Sequence, residues 1–198
     1  MADYYAIIYD LTTSIYEKAT LELSSTGTGT ATFVVYTGGG SSTTGTANFN
    51  TSYYVSSESS SITNLFTPSS GASALVKGSA SVAAGAFLRQ WSNTHDAGYY
   101  VPPSTQSLGT AFRLPASKGT TASKLLIGNP GTRSITVSVF YGSSSSASVT
   151  QTIVAHNFAE IALSETEKAV RVTATGSAFV QLAVDLGGEY DISFVLPE

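Results

Sequence analysis

Short stretches of alternating apolar and polar residues recur along the chain and predict β-strands. Residues 124–142 give the clearest case: an apolar run is followed by Asn129-Pro130-Gly131 and then by β-branched residues that alternate with Ser and Thr. Alternation with a period of two directs every second side chain to one face of a strand, and Pro followed by Gly is typical of a turn. The pattern predicts two strands joined as a hairpin, with one face buried.

An earlier segment repeats this pattern. Residues 21–38 align without a gap on residues 125–142, an offset of 104 (125 minus 21), with glycine at the turn in both copies. Two later pairs of dipeptides also match, namely Val76-Lys77 with Val170-Arg171 and Ala86-Phe87 with Ala178-Phe179. The abundance of Ser, Thr and Gly inflates such matches, but their shared order favours an internal duplication.

Each half contains about six strand-like segments separated by turn residues, which indicates an all-β chain with two tandem β-sandwich domains. The interpreted divisions are an N-terminal strand or arm at 1–18, a first domain at 19–101, a linker at 102–123 that begins with Pro102-Pro103, and a second domain at 124–198.

Both ends of the chain carry apolar strand-like segments, at 4–9 and 190–196, outside the duplicated units. An unpaired apolar edge strand exposes backbone hydrogen-bonding groups and apolar side chains, so we expect both segments to pair. Pairing within the chain and pairing with a neighbouring subunit are both open, and the second is favoured for at least one segment.

The order of segments in the second half provides a further signal. The turn at Asn129-Pro130-Gly131 separates an apolar strand from a β-branched strand that ends in an aromatic residue, and VTQTIVAHNFAEIAL and AVRVTATGSAFVQLAVDL follow. This half resembles the immunoglobulin-like β-sandwich modules of phage and bacterial surface and structural proteins. The likeness covers residues 124–185 well and the first half weakly, and Ala155-His156-Asn157 replaces a usual Ala-Gly turn. The resemblance implies tandem immunoglobulin-like domains that act as spacers, decorations or adhesive modules.

Composition narrows the classes of partner. Only 11% of residues are charged, against a usual value of roughly 25%. The nine Lys and Arg residues are scattered and the net charge is −4, which argues against a nucleic-acid partner. Cysteine is absent, so disulfides, thiolate nucleophiles and Cys-based metal sites are excluded. The longest apolar runs have the length of strands, so no membrane partner is expected.

The sequence offers few residues for catalysis or metal binding. His95 and Asp96 are adjacent, His156 is the other histidine, and their spacing matches no zinc motif. The many serines form no Gly-x-Ser-x-Gly motif. The acids considered as a catalytic pair lie towards the C-terminal end of the chain and are Glu160, Asp185, Glu189 and Asp191. Each has apolar neighbours, as on a solvated strand face, and we expect no catalytic residue, no cofactor and no metal.

Aromatic residues concentrate in the first half and are the candidates for an interface or a ligand-stacking surface. They are Tyr4, Tyr5, Tyr9, Tyr53, Tyr54, Trp91, Tyr99 and Tyr100. In a Tyr-Tyr pair on a strand, one ring lies on each face, so one ring leaves the face that its sheet buries. That ring packs under a loop or against the other domain, covers a subunit contact, or stacks on a sugar.

These features favour a non-enzymatic structural or decorating subunit of an extracellular assembly, in particular a phage virion, as a capsid decoration or tail-associated protein. It would be a homo-oligomer or bound to other structural proteins. The alternatives are a carbohydrate-binding or adhesive module, with a glycan as partner, and a surface fibre assembled by strand exchange. Met1-Ala2-Asp3 lacks the basic start of a signal peptide, which favours release by lysis onto a virion or extracellular surface.

Overall fold

The computed structural model describes residues 2–8, 18–36, 41–49, 54–56, 73–91, 96–115, 123–164, 168–185 and 190–198. Within these ranges the chain forms fifteen β-strands and one short helix, so the predicted all-β class is confirmed. The chain divides into two compact units, Met1–Thr105 and Gln106–Glu198. In the described part of the chain, no helix is long and apolar enough to cross a membrane.

Unit 1 contains eight strands in its described residues. They are β1 (Asp3–Ile8), β2 (Lys18–Ser24), β3 (Gly29–Tyr36), β4 (Ser42–Phe49), β5 (Tyr54–Ser56), β6 (Ala74–Ala80), β7 (Gly85–Trp91) and β8 (Asp96–Tyr100). The strands form two antiparallel sheets, in the orders β1-β6-β3-β4 and β5-β2-β7-β8. The sheets pack face to face, since a Cβ at Gly78 of β6 would lie 3.1 Å from Cδ2 of Leu21 on β2. The short helix α1 (Ser104–Ser107) spans the division between the units.

Unit 2 contains seven strands in its described residues. They are β9 (Gly109–Leu114), β10 (Ser123–Asn129), β11 (Ile135–Tyr141), β12 (Val149–Ile153), β13 (Asn157–Ala162), β14 (Val170–Asp185) and β15 (Tyr190–Val195). The long strand β14 belongs to both layers, because its first part pairs with β9 and β11 and its second part pairs with β10 and β15. Alternate residues of both layers meet in one apolar core, which includes Phe112, Leu125, Val137, Ile161 and Val172.

The two units have the same strand order. With the two parts of β14 in the places of β6 and β7, unit 2 reads β9-β14-β11-β12 and β13-β10-β14-β15. Residues that are paired between β2 and β5 in unit 1 have paired counterparts 104 residues later in unit 2. Leu23 pairs with Val55, and Ile127 pairs with Ala159. The same offset relates five buried residues of unit 1 to five buried residues of unit 2. In order, Leu21, Leu23, Ala31, Phe33 and Val35 correspond to Leu125, Ile127, Ile135, Val137 and Val139.

The later dipeptide matches are displaced by two residues from the structural correspondence. Val35 pairs with Val76, whereas the corresponding Val139 pairs with Val172 and not with Val170. Leu23 likewise pairs with Ala86, whereas Ile127 pairs with Val180 and not with Ala178. A displacement of two keeps the same face of the strand, so the sequence pattern alone does not reveal it.

The predicted hairpin at residues 124–142 is wrong, and so is its counterpart at 21–38. One edge of β10 is hydrogen-bonded to β13 and the other to β14, while β11 pairs with β12 and β14. The strands β2 and β3 also lie in different sheets. In both units this turn carries the chain from one layer to the other. The hairpin prediction is wrong because turn residues indicate that the chain reverses but not which strand each strand pairs with.

The strand order of each unit differs from that of an immunoglobulin domain, in which strands A and B are neighbours and strands F and G are neighbours. Here the first strand of each unit pairs with a strand late in that unit: β1 pairs with β6, and β9 pairs with the first part of β14.

Two segments occupy places that differ from the interpreted divisions. In the N-terminal segment 1–18, β1 is a paired strand of unit 1. At the other end of the chain, β15 pairs with β14 inside the second domain. Within the interpreted linker 102–123, β9 pairs with β14 and buries Phe112 and Leu114. The short run GTAFRL between Pro103 and Pro115 did not stand out as a core strand.

Candidate functional site

The aromatic residues proposed as an interface fall into three groups. Tyr4 and Tyr5 are buried in β1, Tyr99 is partly buried, and Tyr100 is 58% exposed. Tyr54 lies in β5 and Trp91 lies in β7, and for these two residues only the backbone is described. The remaining two, Tyr9 and Tyr53, lie outside the described residues.

Tyr4 and Tyr5 hold β1 in the fold. The hydroxyl of Tyr4 donates a hydrogen bond to the carbonyl of Ala84, and burial together with the nearby Tyr100 raises the pKa of Tyr4. Burial also raises the pKa of Tyr5, whose ring lies 5.9 Å from Nζ of Lys77. Because β1 is buried at every position from Tyr4 to Ile8, these two rings are not available to a partner at the surface.

Tyr100 forms an exposed aromatic pair with Phe87. The two residues are opposite each other on β7 and β8, and their ring centroids lie 6.4 Å apart at an interplanar angle of 79°. Phe87 is 45% exposed, although the adjacent Ala86 and Leu88 are fully buried. Sequence reasoning missed Phe87, yet the alternation of Ala86, Phe87 and Leu88 in a strand places Phe87 on the outer face.

An ion pair lies beside this aromatic pair. Glu22 of β2 is opposite Phe87 in the ladder, and Oε1 of Glu22 lies 3.6 Å from Nη1 of Arg89. Among the described side chains, the outer face of the sheet therefore combines two rings with an acidic and a basic residue.

A groove of about 420 Å³ lies where β2 ends and β7 begins. Its described lining residues are Ser24, Ser25, Thr26, Ala83, Ala84 and Gly85. Gly85 precedes Phe87 by two residues on β7, so the groove and the aromatic pair are neighbours. The lining is small and mainly apolar, with hydroxyl groups at three positions.

Unit 2 shows why unit 1 has this groove. Ser24 pairs with Gly85 in unit 1, and the corresponding pair in unit 2 is Gly128 with Phe179. The ring of Phe179 is fully buried and covers Gly128 so closely that a Cβ at position 128 would overlap it. In unit 1 the corresponding residue is Gly85, which has no side chain to fill the position of that ring.

The histidines and acids considered for chemistry do not converge in the described residues. His156 has a φ of 53° in the turn before β13, and its backbone N–H donates to the carbonyl of Gly131 at 3.2 Å. Glu160 forms an ion pair with Lys124, and Asp191 is exposed. The other candidates lie outside the described residues (His95, Glu189) or have only a described backbone (Asp96, Asp185). In the described part of the chain, no group of three His, Cys, Asp or Glu side chains could hold a metal.

None of the protein-family models, curated proteins and solved structures compared with this chain matches it. The surface is therefore interpreted from its own chemistry. Exposed rings beside small hydroxyl-bearing residues suit contact with a protein surface or with a sugar, because each ring offers an apolar body and Tyr100 also offers a polar tip. We call Phe87, Tyr100 and the groove lining the aromatic surface.

Proposed function

We propose that this protein is a non-enzymatic structural or decorating subunit of an extracellular assembly such as a phage particle, and that the aromatic surface is a subunit contact. One observation carries the proposal. Four large hydrophobic side chains are exposed in the described residues, namely Phe87, Tyr100, Val154 and Leu196. Two of the four are in contact with each other beside a groove, and clustered exposed aromatic residues are typical of protein interfaces.

The composition supports the same proposal. The chain is poor in charge and rich in hydroxyl-bearing residues, and charged residues are depleted at the centre of protein interfaces. A duplication of one sandwich unit is part of the proposal, supported by the shared strand order and by the ladder matches at an offset of 104 residues.

The molecular mass in solution tests the assembly. We expect light scattering to give a mass above the 20.5 kDa of one chain, rising with protein concentration. Replacing Phe87 and Tyr100 together by Ser should lower the mass to that of a monomer, because the exposed rings supply the apolar area of the contact. Val154→Ser is the matched control, since Val154 is also exposed (49%) but lies in unit 2. A wild-type monomer at high concentration, or an assembly that the double variant leaves intact, would contradict the proposal.

A carbohydrate-binding role is the second candidate, and the ion pair beside Tyr100 favours it. An exposed ring can stack on a sugar while Glu22 and Arg89 hydrogen-bond to its hydroxyl groups. A glycan array followed by calorimetry distinguishes the two roles. Binding that is lost in both Tyr100→Ala and Glu22→Gln, in a protein that stays monomeric, would replace the assembly role by this one.

A further inference from the structure

A polar pocket on unit 2 lies apart from the aromatic surface. It has a volume of about 220 Å³ and is lined by Arg113, Gly142, Ser143, Ser144, Ala169, Val170 and Arg171. Among these described lining residues, the two charged side chains are both arginines. In a chain with nine basic residues and a net charge of −4, two guanidinium groups at one pocket are not a consequence of a basic composition.

The two arginines are opposite each other in the ladder between β9 and β14. Like charges at directly opposite positions destabilise a sheet, so this arrangement requires compensating groups. Phe140 of β11 is opposite Arg171 on its other side, so the three side chains form one row across the sheet.

The compensation within the described residues is partial. Arg113, which is 72% exposed, forms an ion pair with Glu198. The guanidinium carbon of Arg171 lies 4.0 Å from the centroid of the Phe140 ring, and Nη2 of Arg171 donates to the carbonyl of Ser144 at 3.5 Å. Among the described residues the carboxylate of Glu198 is paired with Arg113, and no carboxylate is paired with Arg171.

The surroundings of Arg171 orient its guanidinium group. The cation–π contact with Phe140 restrains the group, and the turn at Gly142, with a φ of 58°, places Ser143 and Ser144 at the pocket. A planar guanidinium group binds a carboxylate through two parallel N–H···O bonds, and a restrained group loses less freedom on binding. Glu198 already places a carboxylate against Arg113 from an extended segment, so the pocket accommodates the chemistry of an acidic peptide side chain.

We infer that this pocket binds an acidic side chain of a partner protein, with Arg171 and Arg113 as the residues that bind its carboxylate and Phe140 as a positioning residue. The pocket lies entirely in unit 2 and shares no residue with the aromatic surface. Failure of this inference is therefore distinguishable from failure of the proposed assembly contact.

The test uses the full chain and an acetylated peptide of three glutamates as the probe, followed through the side-chain Nε–Hε signals of the arginines by NMR. We expect a saturable shift of the Arg113 and Arg171 signals that weakens as NaCl is raised. R171Q should weaken binding about tenfold or more, because it removes one charge-assisted bidentate contact. R133Q is the matched control, since it removes the same charge from an exposed position of unit 2 outside the pocket, and it should bind as wild type does.

A second variant guards against a change in folding. R171K keeps the charge but not the planar fork, so it should give an intermediate affinity at an unchanged thermal midpoint. F140L should also weaken binding while both arginines remain. Absence of a saturable shift, an equal loss in R133Q, or binding that R171Q leaves unchanged would overturn the inference. Galacturonic acid or sulfate binding more tightly than the peptide would also overturn it, in favour of a sugar or free-anion site.

Discussion

At the scale of single residues, Asn129 shows how a turn motif acquires its structure. Its side chain is fully buried, and the two N–H groups of Nδ2 are shared among the carbonyls of Arg133 at 2.8 Å, Ile153 at 3.0 Å and Val154 at 3.0 Å. Oδ1 accepts a hydrogen bond from the N–H of Gly131 at 3.0 Å. The sequence predicted the turn but not these bonds to the end of β12, because they join residues that are 24 and 25 positions apart.

The corresponding turn of unit 1 uses a serine. Ser25 lies 104 residues before Asn129, and its Oγ accepts from the N–H of Gly27 at 3.1 Å while donating to the carbonyl of Ala83 at 2.7 Å. Gly27 in turn lies 104 residues before Gly131. The two turns therefore use the same local bond with different side chains, which the aligned glycines alone could not indicate.

Replacing Asn129 by Ala should destabilise the protein strongly. The change removes one buried and three partly buried hydrogen bonds, and we expect a loss of about 2–4 kcal/mol in the free energy of unfolding. Asn157→Ala is the control, because Oδ1 of Asn157 accepts only from the adjacent N–H of Phe158 at 2.8 Å, and it should cost less than about 1 kcal/mol. Urea denaturation measures both values, and equal losses would show that the buried bonds of Asn129 contribute little.

Asp3 and Lys77 couple the pairing of β1 and β6 to pH. Burial alone would raise the pKa of Asp3, but the hydrogen bond from Ser79 at 2.6 Å and the contact with Lys77 at 2.9 Å outweigh it, so the pKa lies below 3.8. Burial alone would lower the pKa of Lys77, but the hydrogen bond with Asp3 outweighs it and the pKa lies above 10.5. Both charged forms are therefore favoured in the folded state.

The pH dependence follows from the signs of these two shifts. The contribution of Asp3 is present above pH 3.8 and is lost as the pH falls below that value, while that of Lys77 is present below pH 10.5 and is lost above it. In Asp3→Asn we expect a loss of about 0.2–1 kcal/mol at neutral pH, since the pair is partly exposed, and a smaller difference from wild type at pH 3. Urea titrations at both pH values measure the free energy of unfolding of wild type and variant. If the two proteins differ by the same amount at both pH values, the ion pair does not account for the loss.

At the scale of elements, the sequence predicted strands well and their partners poorly. Alternation located β3 and β11, because the buried and exposed faces of a strand follow directly from a period of two. It could not show that β10 pairs with β13 and β14 in place of β11, since that choice depends on packing between distant segments. The row of Arg113, Arg171 and Phe140 was missed for the same reason: it joins three strands that are far apart in sequence.

The aromatic surface was predictable in part. Tyr100 was named from the sequence and is exposed, whereas Tyr4 and Tyr5 were named with it and are buried. A Tyr-Tyr pair indicates that one ring leaves the face that its sheet buries, but β1 is covered on both faces, which no local pattern reveals. The exposure of Phe87 could have been predicted from the sequence, given only the assumption that its neighbours Ala86 and Leu88 face the core.

The packing of Phe179 on Gly128 gives a prediction for the pairing of β10 with β14. Because a Cβ at position 128 would overlap the ring, Gly128→Ala should destabilise unit 2 by about 1–3 kcal/mol. The same change in Phe179→Ala should cost much less, since the ring is gone, so a double-mutant cycle by urea denaturation should show coupling. Gly85→Ala is the control in unit 1, where the new Cβ would lie 3.5 Å from Oγ of Ser24. Additive losses in the cycle would contradict this packing account.

At the scale of the whole molecule, each unit is closed by its own ends. In unit 1, Tyr4 forms a bridge with Pro103, and the N–H of Val101 donates to the carbonyl of Ala86 at 3.0 Å. In unit 2, Phe112 forms a bridge with Pro197, and the N–H of Glu198 donates to the carbonyl of Ala111 at 3.0 Å. All described ladder partners of a strand thus belong to its own unit, as expected of a structure that folds independently.

Unit 2 should therefore fold alone, and β9 should be essential to it. A fragment of residues 104–198 keeps β9, and we expect a β-type circular dichroism spectrum, dispersed amide signals and one cooperative urea transition. A fragment of residues 116–198 removes Phe112 and Leu114 from the core and leaves the first part of β14 without its partner β9, so it should be unfolded or lack a cooperative transition. If both fragments fold equally well, residues 102–123 act as a linker after all, and if neither folds, the units depend on each other for stability.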